Sequence, residues 1–270
     1  MEQPLRLGAV AYDPKAVTIW ELARDFFRSR PLPLDFVLFS NYESQVDAHF
    51  DGFIEIAWNT PVAWVKAQSR ANGTARALAM RDVDVAFTSK LIARSDSGVS
   101  SPSDLEGKTV AIGSRDSAQA AILPVHYFAQ AGMAEGRDYT GLRFDLDVGK
   151  HGDTGTSELE VVKAVSDGRA AAGVVGDATW AKLLSEKGVD GNRVKAVWTS
   201  PPFHHCNFTA LPSLSAERAQ AFVDGLMAMD YADPLARTLM DLEGLKKWVA
   251  GSTERYADLA DAMRAQGMIP

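Results

Sequence analysis

Cysteine occurs once in the 270 residues, at Cys206. A single thiol excludes an internal disulfide framework and a cysteine-rich metal site. Long apolar runs are missing as well: none approaches the roughly 20 residues that cross a bilayer. Positive charge is in deficit, with 28 Lys and Arg against 35 Asp and Glu and a net charge of −7. A nucleic-acid-binding surface is normally basic, so this balance argues against one. Residues Met1 to Leu7 hold no basic segment followed by an apolar stretch, the mark of a signal peptide. That fits a cytoplasmic protein, or a periplasmic one whose leader lies outside this sequence. Familiar catalytic signatures are absent too. Gly107-Lys108-Thr109 has the ending of a P-loop, but Pro102 stands where the first glycine is needed. The glycines from Gly149 to Gly155 do not follow the strand–Gly-x-Gly-x-x-Gly–helix order, and no Gly-x-Ser-x-Gly elbow occurs.

What is present is a soluble globular composition, 46% hydrophobic and 23% charged, long enough for two domains. Leu5–Val10 reads as a strand. An amphipathic helix follows over 16–28, with Val17, Trp20, Leu22, Phe26 and Phe27 as its apolar positions. Leu34 to Ser40 is a second strand, 42–51 a helix, and Gly52 to Trp58 a third strand ending at Asn59-Thr60-Pro61. Strands alternating with helices imply a parallel sheet, whose ligands meet the loops after the strands' carboxyl ends. Those loops hold Tyr12, Tyr42, Trp58, Asn59 and Thr60. For Tyr42 and Trp58 core packing is the competing expectation, since it is the commoner fate of aromatics.

The second half turns on Ser103 to Pro124: a turn, a short buried strand over Thr109–Ile112, a loop and a helix. Free backbone N–H groups and the positive helix end at such a junction suit an anionic group, and Ser114 and Ser117 add hydroxyls. The plainer reading is a helix cap by Asp116 or Ser117. Downstream come a Gly-rich loop from Asp145 to Thr156 containing His151, a helix over 157–167, and a buried strand from Ala170 to Val175 followed by Gly176-Asp177. A helix over 179–187, a strand over 193–199 and helices over 216–228, 233–243 and 253–266 complete the chain.

Leu105-Glu-Gly-Lys-Thr-Val-Ala111, the Ser-bearing loop, Leu123-Pro124 and Phe128-Ala-Gln-Ala-Gly-Met133 resemble the second domain of phosphonate-type solute-binding proteins of ABC importers. The resemblance runs from Leu5 to about Tyr231. It implies the type II periplasmic-binding-protein fold, α/β with parallel-rich sheets. Domain one would take 1–90 and 200–270, domain two 95–195, with two crossover strands as a hinge and the ligand cleft between the domains. The long segment from Val83 to Arg94 would be the first crossover. Asn41-Tyr42 and Trp58-Asn59-Thr60-Pro61 match the family's pocket loops, and His151 and Asp177 its ligand-facing polar positions. The expected ligand-binding set is thus Tyr12, Tyr42, Trp58, Asn59 and Thr60 from the first domain. The second adds Ser114, Ser117, Gln119, His151 and Asp177, and the strand after the Pro201-Pro202 pair adds His204.

Two departures stand out. Asp116-Ser117-Ala118-Gln119 replaces the family's Ser-Thr-Ser-Gly, and Gly152 to Gly155 lengthen the His151 loop. Fewer hydroxyls and an added acid weaken the case for a phosphate dianion and favour a carboxylate or zwitterion. The resemblance implies an ABC permease partner, a monomer, no catalytic residue, no metal and no cofactor. The alternative is a biosynthetic enzyme of menaquinone or thiamine-pyrimidine type on the same fold. It would use His204 and Cys206, which share a face if the segment is a strand. No orienting third group completes that pair.

Overall fold

The computed structural model describes residues 3–270. The chain divides into two compact units. The first comprises the chain up to Ala86, His204–Tyr256 and Ile269–Pro270; the second comprises Phe87–Phe203 and Ala257–Met268.

The first passage through unit one runs β1 (Leu5–Val10), α1 (Lys15–Phe27), β2 (Leu34–Phe39), α2 (Tyr42–Phe50), β3 (Ile56–Asn59), α3 (Pro61–Arg70) and β4 (Arg76–Arg81). Unit two follows with β5 (Ser89–Arg94), β6 (Thr109–Ile112), α4 (Leu123–Gln130), β7 (Thr140–Arg143), α5 (Thr156–Ser166), β8 (Ala172–Gly176), α6 (Asp177–Ser185) and β9 (Val194–Thr199). The chain then returns to unit one as β10 (Asn207–Ala210), α7 (Ala216–Met227), α8 (Pro234–Glu243) and β11 (Trp248–Ala250), and ends with α9 (Ala257–Ala265) in unit two.

Unit one is a six-stranded sheet in the order β11-β4-β10-β3-β1-β2. β1 pairs in parallel with β2 and β3, while the returning β10 inserts antiparallel to both β3 and β4. Alternation sorts its side chains: Leu5, Leu7, Ile56, Trp58, Phe208 and Ala210 enter the main core with Ala16, Ile19, Trp20, Ala23 and Phe27 of α1. Those α1 positions repeat at helical spacing, which is why this face is buried. Asn41 accepts from the Ser44 amide at 2.8 Å to start α2. Thr60 caps α3, and Pro61 stands at its first position, where a missing N–H costs nothing.

Unit two is a five-stranded sheet in the order β7-β6-β8-β5-β9. β6 is parallel to β7 and β8, and β5 is antiparallel to β8 and β9. Both sheets are therefore mixed, with the antiparallel pairings made by strands on either side of a crossing. The segment from Val83 to Arg94 is not one strand: the chain leaves unit one at Ala86, in left-handed backbone at φ 60°, and β5 starts at Ser89. α9 also departs from expectation, since it packs with unit two. Tyr127 donates its hydroxyl to Asp258 Oδ2 at 2.7 Å, and Gln266 donates Nε2 to the Ile122 carbonyl at 3.0 Å. Among the described residues no helix is long and apolar enough to cross a membrane.

Candidate ligand-binding site

In unit two the strand-end polar groups interlock. Gly113 follows β6, and a Cβ there would stand 2.6 Å from Ala120 Cβ, so only glycine lets the chain turn so tightly into the next helix. Ser117 caps a π-helical turn, Ala118–Ile122, that runs into α4; its Oγ accepts from the Ala120 amide at 3.2 Å. Ser114 donates its hydroxyl to Asp116 Oδ1 at 2.5 Å. The other oxygen of Asp116 accepts from the backbone amides of Gly149 (2.5 Å) and His151 (3.4 Å). Asp116 thus ties the long loop back onto the β6–α4 junction. The loop can bend to it because Asp147, Gly149, His151 and Gly152 all take positive φ.

A second carboxylate lies beneath. Glu158, buried in the first turn of α5, accepts from Gln119 Nε2 at 3.1 Å and from the Gly176 amide at 2.9 Å. Asp177, half-buried at the start of α6, accepts on Oδ2 from the Thr88 amide (3.0 Å) and hydroxyl (2.8 Å). The structure therefore brings Ser114, Ser117, Gln119 and His151 together around Asp116 and Glu158. Asp177 adjoins them through Gly176. The sequence marks Asp116 as a helix cap and as an added acid beside the anion site, and gives Glu158 no role in the site. Nothing in their spacing marks the contacts to residues 149 and 176.

In unit one the expected residues divide between the two faces of the sheet. Trp58 lies on the core face with its ring centroid 4.6 Å from that of Phe208 and 6.0 Å from that of Trp248, and the Arg81 guanidinium is 5.3 Å from it. Tyr42 is fully buried on the other side, with Val10, Val46 and Ala63, and half-buried Tyr12 packs against that group. Both Tyr42 and Trp58 thus lie in packed interior. Asn59 belongs to a buried polar chain on the face opposite Trp58. Gln45 Nε2 donates to Asn59 Oδ1 (2.8 Å), Asn59 Nδ2 to Thr209 Oγ1 (2.9 Å) and Thr209 Oγ1 to Asn207 Oδ1 (2.7 Å). Asn207 Nδ2 then donates to the Tyr256 hydroxyl (3.1 Å), which donates to the His205 carbonyl (3.0 Å). Burial at this depth holds the Tyr256 hydroxyl in its neutral form.

His204 is buried and its Nδ1 accepts from the Ala86 amide at 3.4 Å. Burial first, and the Arg255 charge second, hold its pKa below the usual histidine range. The pairing of His204 with Cys206 is corrected here. Residues 204–206 precede β10 and do not alternate as a strand, and it is His205 Nδ1 that lies 3.0 Å from Cys206 Sγ. Asp84 Oδ1 is 3.4 Å from the same nitrogen. These three side chains bring possible metal-ligating atoms within 4.8 Å of one another. The Arg81 guanidinium, however, already takes both oxygens of Asp84, at 2.7 and 2.8 Å, and Glu243 at 3.1 Å. Burial alone would raise the Asp84 carboxyl, but Arg81 outweighs it and holds the carboxyl at about 2. The positive charge of this cluster is thus the guanidinium.

The family described as "ABC transporter, phosphonate, periplasmic substrate-binding protein" matches residues 17–256. Among solved structures, PhnD1 from Prochlorococcus marinus in complex with methylphosphonate is similar at TM-score 0.74 and 16% identity, over 98% of each chain. XAC2383 from Xanthomonas citri bound to ATP is similar at TM-score 0.77 and 16% identity, over 100% of each chain. The periplasmic aliphatic sulphonate binding protein SsuA from Escherichia coli gives TM-score 0.63 at 16% identity, over 100% of this chain and 89% of its own. An uncharacterized protein of Haemophilus influenzae is 53% identical over 32 residues, 12% of this chain, and the match spans 45% of that protein's length. The structural likenesses carry the fold. With a family match that extends from α1 to Tyr256, the chain belongs to the phosphonate-type periplasmic substrate-binding proteins of ABC transporters.

Proposed function

We propose that this protein captures a small polar solute for an ABC importer and works as a monomer that docks on a permease. Ser114, Ser117, Gln119, His151 and Asp177 of unit two would contact the solute or shape its pocket. One observation carries the reading. A family of substrate-binding proteins spans most of the chain, and the strand ends of unit two hold a buried polar cluster where open α/β sheets place ligands. The enzymatic alternative lacks such support: Cys206 is buried, and Asp84 is committed to Arg81.

The test is a thermal-shift screen of the purified chain with phosphonates, sulfonates, carboxylates and amino-bearing zwitterions, followed by calorimetry on the hits. A ligand at 100 times its Kd stabilises the folded state by about 2.7 kcal/mol, a shift of several degrees. A flat response across all four classes refutes the reading.

A further inference from the structure

The strand-end crevice of unit two is built from acceptors. Asp116, Glu158 and Asp177 reach it from three different elements, and each draws N–H or O–H donors out of the chain itself. Gln119 stands among them. Its amide orientation is set by Glu158: Nε2 donates to the carboxylate at 3.1 Å, and the reversed amide would set oxygen against oxygen. That leaves Oε1, which is buried and receives no hydrogen bond from the described residues.

Gln119 packs closely against two glycines, which leave room for its side chain. A Cβ at Gly176 would stand 3.0 Å from Gln119 Cγ, and one at Gly152 would stand 3.1 Å from its Nε2. Nearby cations are matched by acids. Arg115 pairs with Asp145 at 3.0 Å, and the Lys150 ammonium lies in the field of Asp147 and Asp153. A fully ionised phosphonate would bring only acceptors to a place already rich in them, whereas an ammonium or hydroxyl would supply the donor that Oε1 lacks.

We propose that Gln119 is a specificity-determining residue and that the end of the solute entering this crevice is an N–H or O–H donor, an ammonium above all, in place of an oxyanion. This rests on the solute-binding reading.

The test is calorimetry on the full chain with two matched pairs: 2-aminoethylphosphonate against ethylphosphonate, and succinamate against succinate. The donor-bearing member should bind at least ~10-fold tighter within a pair. Gln119→Met, of similar length without the acceptor, should bring that ratio close to one. Gln119→Ser, which exchanges the acceptor for a hydroxyl, should strengthen ethylphosphonate binding. A wild-type ratio near one, or a preference for the plain anion, overturns the proposal even if solutes bind and the functional reading stands. An unchanged ratio in folded Gln119→Met overturns the role of Gln119. If Gln119→Met does not fold, Gln119→Ser and the wild-type ratio decide. Binding by none of the four, with no hit in the wider screen, removes the functional reading and this proposal together.

Discussion

Replacing Trp58 with alanine separates a structural role from a ligand-stacking one. The ring is 4% exposed and lies against Phe208 and Trp248, with Arg81 beside it. Truncating a buried aromatic to alanine costs about 3–5 kcal/mol when the site cannot collapse. Neighbours as large as Phe208 and Trp248 resist collapse, and loss of the Arg81 contact adds up to ~1 kcal/mol. A loss of ~4 kcal/mol is a large part of the 5–15 kcal/mol that holds an ordinary domain together. For a unit of this size it corresponds to a fall of roughly 10–15 °C in Tm. The measurement is urea and thermal unfolding followed by far-UV circular dichroism, with the two units allowed separate transitions. Only the transition of unit one should move. Ligand affinity, measured by calorimetry at low temperature where the variant is still folded, should change by less than threefold. An unmoved transition together with a tenfold weaker Kd would refute the packing argument and return Trp58 to the ligand.

Other expectations follow from buried charge and backbone. His49 donates Nε2 to the Glu55 carbonyl at 3.2 Å, and burial drops its pKa from 6.5 to about 4. A base with a lowered folded value contributes stability above 6.5 that is lost as pH falls toward 4. Stability should therefore decline by up to ~3 kcal/mol over that window, and His49→Gln should flatten the slope in pH-dependent urea titrations. Asp84, held at about 2, contributes stability that is present above 3.8 and lost only as pH falls toward 2. Asp84→Ala would leave Glu243 as the remaining carboxylate partner of the buried Arg81 guanidinium and should destabilise unit one by up to ~3 kcal/mol in the same assay. Gly152 sits at φ 87°, and a Cβ there would stand 2.6 Å from Ser117 Oγ, so Gly152→Ala should lift the loop from the helix start. Faster hydrogen exchange at residues 147–155, without a comparable change in β6 and β8, is the expected signature. Cys206, being buried, should react with a thiol reagent only at the rate of unfolding; rapid modification of the native protein would contradict its placement.

Much of this was legible in the chain. The alternation of β1 and β2, the spacing along α1 and the strand–turn–helix around Ser117 all reported real elements, because burial on one face imposes its period on the sequence. The side chains were less legible. Trp58 ends a strand, which suggested a pocket, yet it shares a face with Ile56, and that face is the core. Period-two counting from Ile56 would have shown it. Thr60-Pro61 is a helix start by both cap and proline, so α3 was readable and was passed over. Asp84 and Gln45 had no such signal: His205 reaches Asp84 from a segment made much later, and Gln45 meets Asn59 only through the packing of α2 on β3. The grouping of α9 with unit two likewise depends on contacts with Tyr127 and Ile122, far earlier in the sequence.

The insertion of β10 between β3 and β4 sets an order of events during synthesis. β3 and β4 have no hydrogen-bonded contact with each other; the strand that joins them, β10, is made much later, and Asn59 meets Thr209 across 150 positions. At 5–20 residues per second the ribosome needs roughly 10–30 s to supply that strand. Over this interval β3 offers one unpaired edge and β4 two, while the intervening segment can assemble its own sheet, since every strand of unit two is encoded within Phe87–Phe203. The nascent chain can therefore close the sheet of its middle before that of its beginning, with α9 added last. A chaperone that shields Ile56, Trp58 and Ala79 during that wait would act on the first unit alone, and a stop codon shortly before Asn207 would leave the sheet of unit two, without α9, attached to an unfinished, aggregation-prone leading segment.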